Sequence, residues 1–295
     1  MGGFFYFCPI HSTMAKDKEQ SKDQNSGDEM GFWDHLEALR WHILRSFIAV
    51  LVFAIAAFIA REFIFDTIIL APKSDQFFTN RALCKLAETI SIEGLCISNL
   101  NLEIVNLEMS GQFLIHLYIS IIAGVILAVP YIIGEIWAFI RPALYPNEQK
   151  HTTGAVIVTS LLFLLGVVFS YFLIVPLTIN FLGSYQVSET VAHTIALRSY
   201  ISTVVSLTFA MGVVFELPVF VFFLTKLGVL TPQFMRKNRK YNLVIVLILS
   251  AIITPADIFS QIMVALPLLG LYEISINVAS FAYRKHQIDS EEEID

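Results

Sequence analysis

The chain has 295 residues, 56% of them hydrophobic and 15% charged, with a net charge of −6. A soluble domain carries about a quarter charged residues, so the deficit and the long apolar runs place the chain in a bilayer. Three cysteines are too few for a disulfide framework, and no CxxC or HExxH motif, P-loop or dinucleotide fingerprint is present. No cofactor, ATP or nucleic acid is therefore expected.

In chain order, "MGGFFYFCPIHSTM" lacks the basic start of a signal peptide, and residues 1–29 read as a polar, disordered extension. A six-span membrane region is expected over 30–283, and an acidic tail over 284–295. The region opens with a charged lead-in, "FWDHLEALRWHILR". There Phe32, Leu36, Leu39 and Ile43 make one apolar helical face, and Glu37 and Arg40 are spaced to pair. On periodicity alone this is an interfacial helix with its charges among headgroups; the alternative is a docking surface.

Apolar windows place spans at 44–65, 112–133, 153–176, 200–225, 241–254 and 258–281, all helical. The fifth is short: its 14 residues reach about 21 Å, against a hydrocarbon core of about 30 Å. Lys and Arg concentrate in the N-terminal segment, the loops after spans two and four, and the tail. The positive-inside rule then puts both termini in the cytoplasm. The 66–111 loop should form an outer cap, with a short helix in "RALCKLAETI" and a strand or helix in "LNLEIVNLEMSG". Its Cys84 and Cys96 either pair, if the loop faces an oxidising compartment, or stay as thiols.

Polar residues inside this apolar frame mark candidate sites. In "EIWAFIRPALYPNEQK", Pro142 and Pro146 stiffen a loop that Trp137 and Phe139 anchor at the interface, with Glu148 at its end. An ordinary aromatic belt with a capping carboxylate would look the same. Glu216 stands in the middle of span four, where an ionisable group costs at least about 2–3 kcal/mol and should face protein or water. Pro218 leaves the Val214 carbonyl free and should kink the helix beside it. Glu216 is either functional or a structural hydrogen-bonding group between helices. In "TPADIFSQ", Asp257 suits the N-cap of span six, with Gln261 one turn on.

These residues resemble the TatC family, the integral-membrane receptor of the twin-arginine (Sec-independent) protein translocase. The carriers are "HLEALR", Ala71-Pro72, "WAFIRPALYPNE", "FELP" and "TPADIFSQ", over about Gly31 to Tyr283. The resemblance implies an all-α, bent, glove-like bundle of six helices with short fifth and sixth spans. It implies no enzyme but a receptor in the inner membrane for folded cargo whose signal peptide bears two arginines, driven by the proton gradient. Its partners would be single-span TatA and TatB-type subunits, further copies of itself, and lipid. Signal-peptide binding would fall to Glu37, Arg40, Glu148, Trp137 and Pro142. A concave pocket for partner docking would involve Glu216, Pro218 and Gln261, and the outer face Pro72 and Asp257. The family's motif has an acid where this chain has Ala38, so Glu37 enters as a neighbouring substitute. The competing reading is a proton-coupled small-molecule carrier using Glu216; a single mid-span carboxylate and the lack of an internal repeat speak against it.

Overall fold

The computed structural model describes residues 32–74, 77–90, 103–141, 152–185, 194–254 and 257–292. Two units are distinguished, residues 1–41 and 42–295. In the first, the described part is the beginning of helix α1 (Phe32–Ile59), on which Leu36, Glu37, Arg40 and Trp41 are exposed. Glu37 and Arg40 form no ion pair, contrary to their spacing, because two exposed side chains gain only a few tenths of a kcal/mol by pairing.

The second unit is built on apolar helices. After α1 come a π-helical turn (Phe63–Ile69), a 3-10 turn (Ala71–Lys73), α2 (Phe78–Ile90) and a short strand β1 (Glu103–Val105). Then follow α3 (Gly111–Ile140) and α4 (Thr152–Phe169), which runs through a π segment (Ser170–Ile174) into α5 (Val175–Ser184). Strand β2 (Thr194–Ala196) leads into α6 (Leu197–Val214) and α7 (Leu217–Lys226). The chain ends with α8 (Pro232–Lys237), α9 (Arg239–Ile253) and α10 (Ile258–Glu292). The two strands pair in parallel, Ile104 opposite Ile195, so within "LNLEIVNLEMSG" the stretch Glu103–Val105 takes the strand, the first of the two alternatives.

Among the described residues five helical stretches are long and apolar enough to cross a membrane: 36–59, 111–140, 154–184, 197–226 and 258–284. The remaining expected span is α9. Its 15 residues reach about 22 Å, so it is as short as the sequence indicates. Helix α10 keeps its helical backbone past Tyr283 to Glu292, through most of the segment read as a tail; Glu, Gln and Lys favour helix there. Trp137 and Phe139 lie in α3 and not in the following loop, because the apolar periodicity continues to Ile140.

Helix α6 is the centre of the core. Its Ile201, Val204, Leu207 and Met211 pack with Ile115 and Ile119 of α3, Ile179 of α5, Val246 of α9, and Val264 and Leu268 of α10. Small residues set the crossing of α4 and α6. A Cβ on Gly166 would lie 2.6 Å from the Met211 carbonyl oxygen, and one on Gly212 would lie 2.8 Å from the Phe163 ring. Close backbone approach of this kind is how helices associate in lipid, where burying apolar area gains nothing. A second cluster joins Val221 of α7, Met235 of α8, and Ile276 and Ala279 of α10.

Irregular backbone is paired off by side chains. Tyr171 and Tyr200 donate their hydroxyls to the carbonyls of Ile68 (2.7 Å) and Ile69 (2.9 Å), at the end of the π-helical turn. That turn replaces the end of the α-helix expected for span one up to residue 65. Such pairing is needed where no water satisfies a free carbonyl.

Candidate functional site

Glu216 lies at a break in the fourth span. Helix α6 stops at Val214, and α7 restarts at Leu217 with Pro218 buried in its first turn. Pro218 has no N–H for the Val214 carbonyl, so the kink falls where the sequence indicates. Phe215 and Glu216 turn the chain, and the Glu216 carbonyl receives the Phe220 N–H at 3.0 Å. The residue is half-buried, and both carboxyl oxygens are buried without a hydrogen bond of normal geometry; the Phe163 backbone faces them. Among the described residues no side chain of a neighbouring helix donates a hydrogen bond to this carboxyl. α4 approaches at Gly166 and Phe163 and presents backbone and an aromatic ring instead of a donor side chain.

Asp257 caps α10. Its Oδ2 accepts the Ser260 backbone N–H at 2.7 Å, as expected for an acid at a helix N-terminus. Its other oxygen is buried and unpaired. One turn on, Gln261 donates Nε2–H to the Leu247 carbonyl of α9 at 2.9 Å, which ties the short helix to α10. No described hydrogen bond or ion pair joins Gln261 to Glu216. Pro72 is fully buried in the 3-10 turn, and Asn80 donates to its carbonyl (3.4 Å) and to that of Ser74 (2.9 Å).

Trp137 is 7% exposed and packs on Phe223 of α7, ring centroids 4.6 Å apart. An anchor at a bilayer surface keeps its polar edge in water; this ring is a packing residue between α3 and α7. Glu148, Pro142, Pro146 and Pro255 lie outside the described residues. Cys84 is disulfide-bonded, and its partner also lies outside them.

Two features escaped the reading of motifs. The His42 Nδ1 and Glu135 Oε2 atoms are 2.5 Å apart, joining α1 to α3. His42 stands in the quoted lead-in and Glu135 opens the quoted loop segment, yet their distance in sequence hides the pairing. The other is a pocket of about 610 Å³ bounded by Glu108, Arg198, Ser199, Ser202, Thr203 and Thr254. Its hydroxyls recur at helical spacing on α6, a signal that the apolar windows averaged away. Among the described residues no group of three or more His, Cys, Asp or Glu could hold a metal ion.

A helical membrane bundle with a proline break beside a buried carboxylate, a short fifth helix and a capped sixth defines a class of polytopic membrane protein. Within that class, the model of the family described as Sec-independent protein translocase protein (TatC) matches residues 34–267. The chain belongs to the TatC family. It is 38% identical over 264 residues to the Sec-independent protein translocase protein TatC of Blattabacterium sp. subsp. Periplaneta americana (strain BPLAN), covering 89% of this chain and 99% of the relative. It is 33% identical over 263 residues to the TatCy protein of Bacillus subtilis (strain 168), covering 89% and 94%. Its fold is similar to a crystal structure of the twin-arginine translocase receptor TatC, with a TM-score of 0.67 and 33% identity, covering 84% of this chain and 99% of the other.

Proposed function

We propose that this protein is the receptor and core subunit of a twin-arginine translocase, taking up signal peptides of folded cargo and nucleating a translocon driven by the proton gradient. The observation that carries the reading is the fold, which follows a twin-arginine translocase receptor over 84% of the chain at 33% identity. It resides in the cytoplasmic membrane with both termini in the cytoplasm, an orientation supported by the distribution of Lys and Arg. Guanidinium groups stay charged and pair bidentately with carboxylates, so two adjacent arginines call for two acids. Glu37 and Glu148 supply them, with Arg40, Trp137 and Pro142 shaping the surroundings. Exposure of Glu37 and Arg40 supports this role; Trp137 acts through packing, since its ring is buried.

The break at Glu216 and Pro218, with Gln261, receives single-span TatA and TatB-type partners. A carboxyl with two buried, unpaired oxygens supports this, because a partner helix carrying a donor would satisfy it. Pro72 and Asp257 hold the outer face, and further copies of the chain and lipid complete the assembly.

The test is photocrosslinking of a twin-arginine signal peptide, and of a twin-lysine version, to the loop containing Glu148. The arginine form should crosslink and the lysine form should not. Glu148→Ala should weaken capture by about 1.5–3 kcal/mol, one charge-assisted pair. Equal crosslinking of both peptides, or unchanged capture by the variant, would remove the assignment.

A further inference from the structure

Helix α1 is thinly attached. Among its residues from Leu36 onward only Ala57 is fully buried. In lipid an exposed leucine costs nothing, so what holds such a helix must be close packing and polar contact. Three contacts tie α1 to α3, which runs antiparallel to it. Late in α1, Phe58 stacks on His116 with centroids 4.0 Å apart, and His116 Nε2 lies 3.1 Å from the Phe58 carbonyl. In the middle, Gly124 admits the α1 backbone: a Cβ there would lie 2.6 Å from the Ala54 nitrogen. Early in α1 stands the His42–Glu135 pair at 2.5 Å.

This pair is well built. Its side chains are only 21% and 12% exposed. Tyr131 reaches the same carboxyl with its hydroxyl, Arg45 acts on it electrostatically, and the Phe139 ring meets His42 edge-on at 6.0 Å. Tyr131, Glu135 and Phe139 are spaced by four on α3, and His42 and Arg45 by three on α1, so each set shares one helix face. Removing either partner strands the other in a poorly hydrated place.

We infer that His42 and Glu135 form a clasp that positions the start of the first span against the end of the second, and that both are positioning residues for signal-peptide capture. The connection to capture rests on the receptor reading. Glu37 and Arg40 come just before His42 in the chain, and the loop carrying Glu148 follows the helix that carries Glu135. The two segments assigned to the arginine pair thus leave from the two helices that the clasp holds.

The test uses the full chain in liposomes and in cells, in a cysteine-free background with spin labels at Ile43→Cys and Ile136→Cys. Distances by pulsed electron spin resonance are read beside crosslinking of a twin-arginine signal peptide. The unaltered pair should give one narrow distance. H42F and E135M should broaden it and lower crosslinking about tenfold, the factor for a lost charge-assisted hydrogen bond. The exchange H42E/E135H should restore both readouts. H42F/E135M removes both partners and leaves only exposed groups, the Tyr131 hydroxyl and Arg45, without the carboxyl, so it should insert even if a single variant does not, and it should still broaden the distance and lower crosslinking. Narrow distances and normal crosslinking in H42F/E135M, or no recovery in the exchange, would overturn the clasp. If the unaltered chain captures no twin-arginine peptide, the receptor reading fails while the distances still decide the clasp.

Discussion

The Thr79 hydroxyl of α2 donates to the Phe172 carbonyl in the π segment. Phe172 lies four residues before Pro176, which has no N–H to offer that carbonyl. The loop helix therefore completes a hydrogen bond that the proline opened, and Phe77 stacks on the Phe172 ring at 5.5 Å beside it. Thr79→Val should leave the carbonyl unpaired and destabilise the protein by about 1–3 kcal/mol, whereas Thr79→Ser should hold. Thermal unfolding in detergent is the measurement, and equal midpoints for the two variants would refute the role.

Glu216 should behave as a functional group that stability does not require. Its carboxyl oxygens are buried without hydrogen bonds of normal geometry, so Glu216→Leu strands no donor and should change stability by less than about 1 kcal/mol, or raise it. Had Glu216 been a structural hydrogen-bonding group between helices, the alternative that the sequence leaves open, Leu would instead be harmful. In membranes, Glu216→Leu should still capture a signal peptide but crosslink poorly to a single-span subunit. Normal crosslinking and export would leave the residue without a role in assembly.

At the start of α10, Asp257→Ala removes the acceptor of the Ser260 N–H. The loss should be about 0.5–2 kcal/mol, with Asp257→Asn retaining most of it. Hydrogen exchange of the first turn of α10 reads this directly. Faster exchange in the alanine variant alone is the expected pattern; equal rates in all three proteins would deny the cap.

The displaced acid of the lead-in can be moved. Glu37→Ala should impair capture of a twin-arginine peptide, and Ala38→Glu added to it should recover part, since neighbouring helical positions differ by about 100°. Capture at the wild-type level in Glu37→Ala would make the lead-in acid dispensable.

Cys84 is already oxidised in a disulfide, which suits an outer, oxidising compartment. An impermeant maleimide should label it on intact spheroplasts only after treatment with an impermeant phosphine. Labelling that requires lysis would reverse the orientation of the whole chain.

Composition and periodicity alone determined the class, the helical spans, the short fifth helix and the kink at Glu216–Pro218. Each of these depends on neighbours in sequence: an apolar window, a missing N–H, a charge in an apolar run. The Asp257 cap is equally local, its acceptor and donor being three residues apart. Tertiary structure alone decided which helix meets which. Trp137 looked like a surface anchor until α7 brought Phe223 over it. His42 and Glu135 are 93 residues apart, and nothing in either segment announces the other. The same holds for Gly166 and Gly212, where a missing side chain has meaning only once a second backbone fills the space. Contacts of this kind depend on helix rotation and crossing, which the apolar pattern leaves open because lipid rewards every orientation of an apolar helix alike.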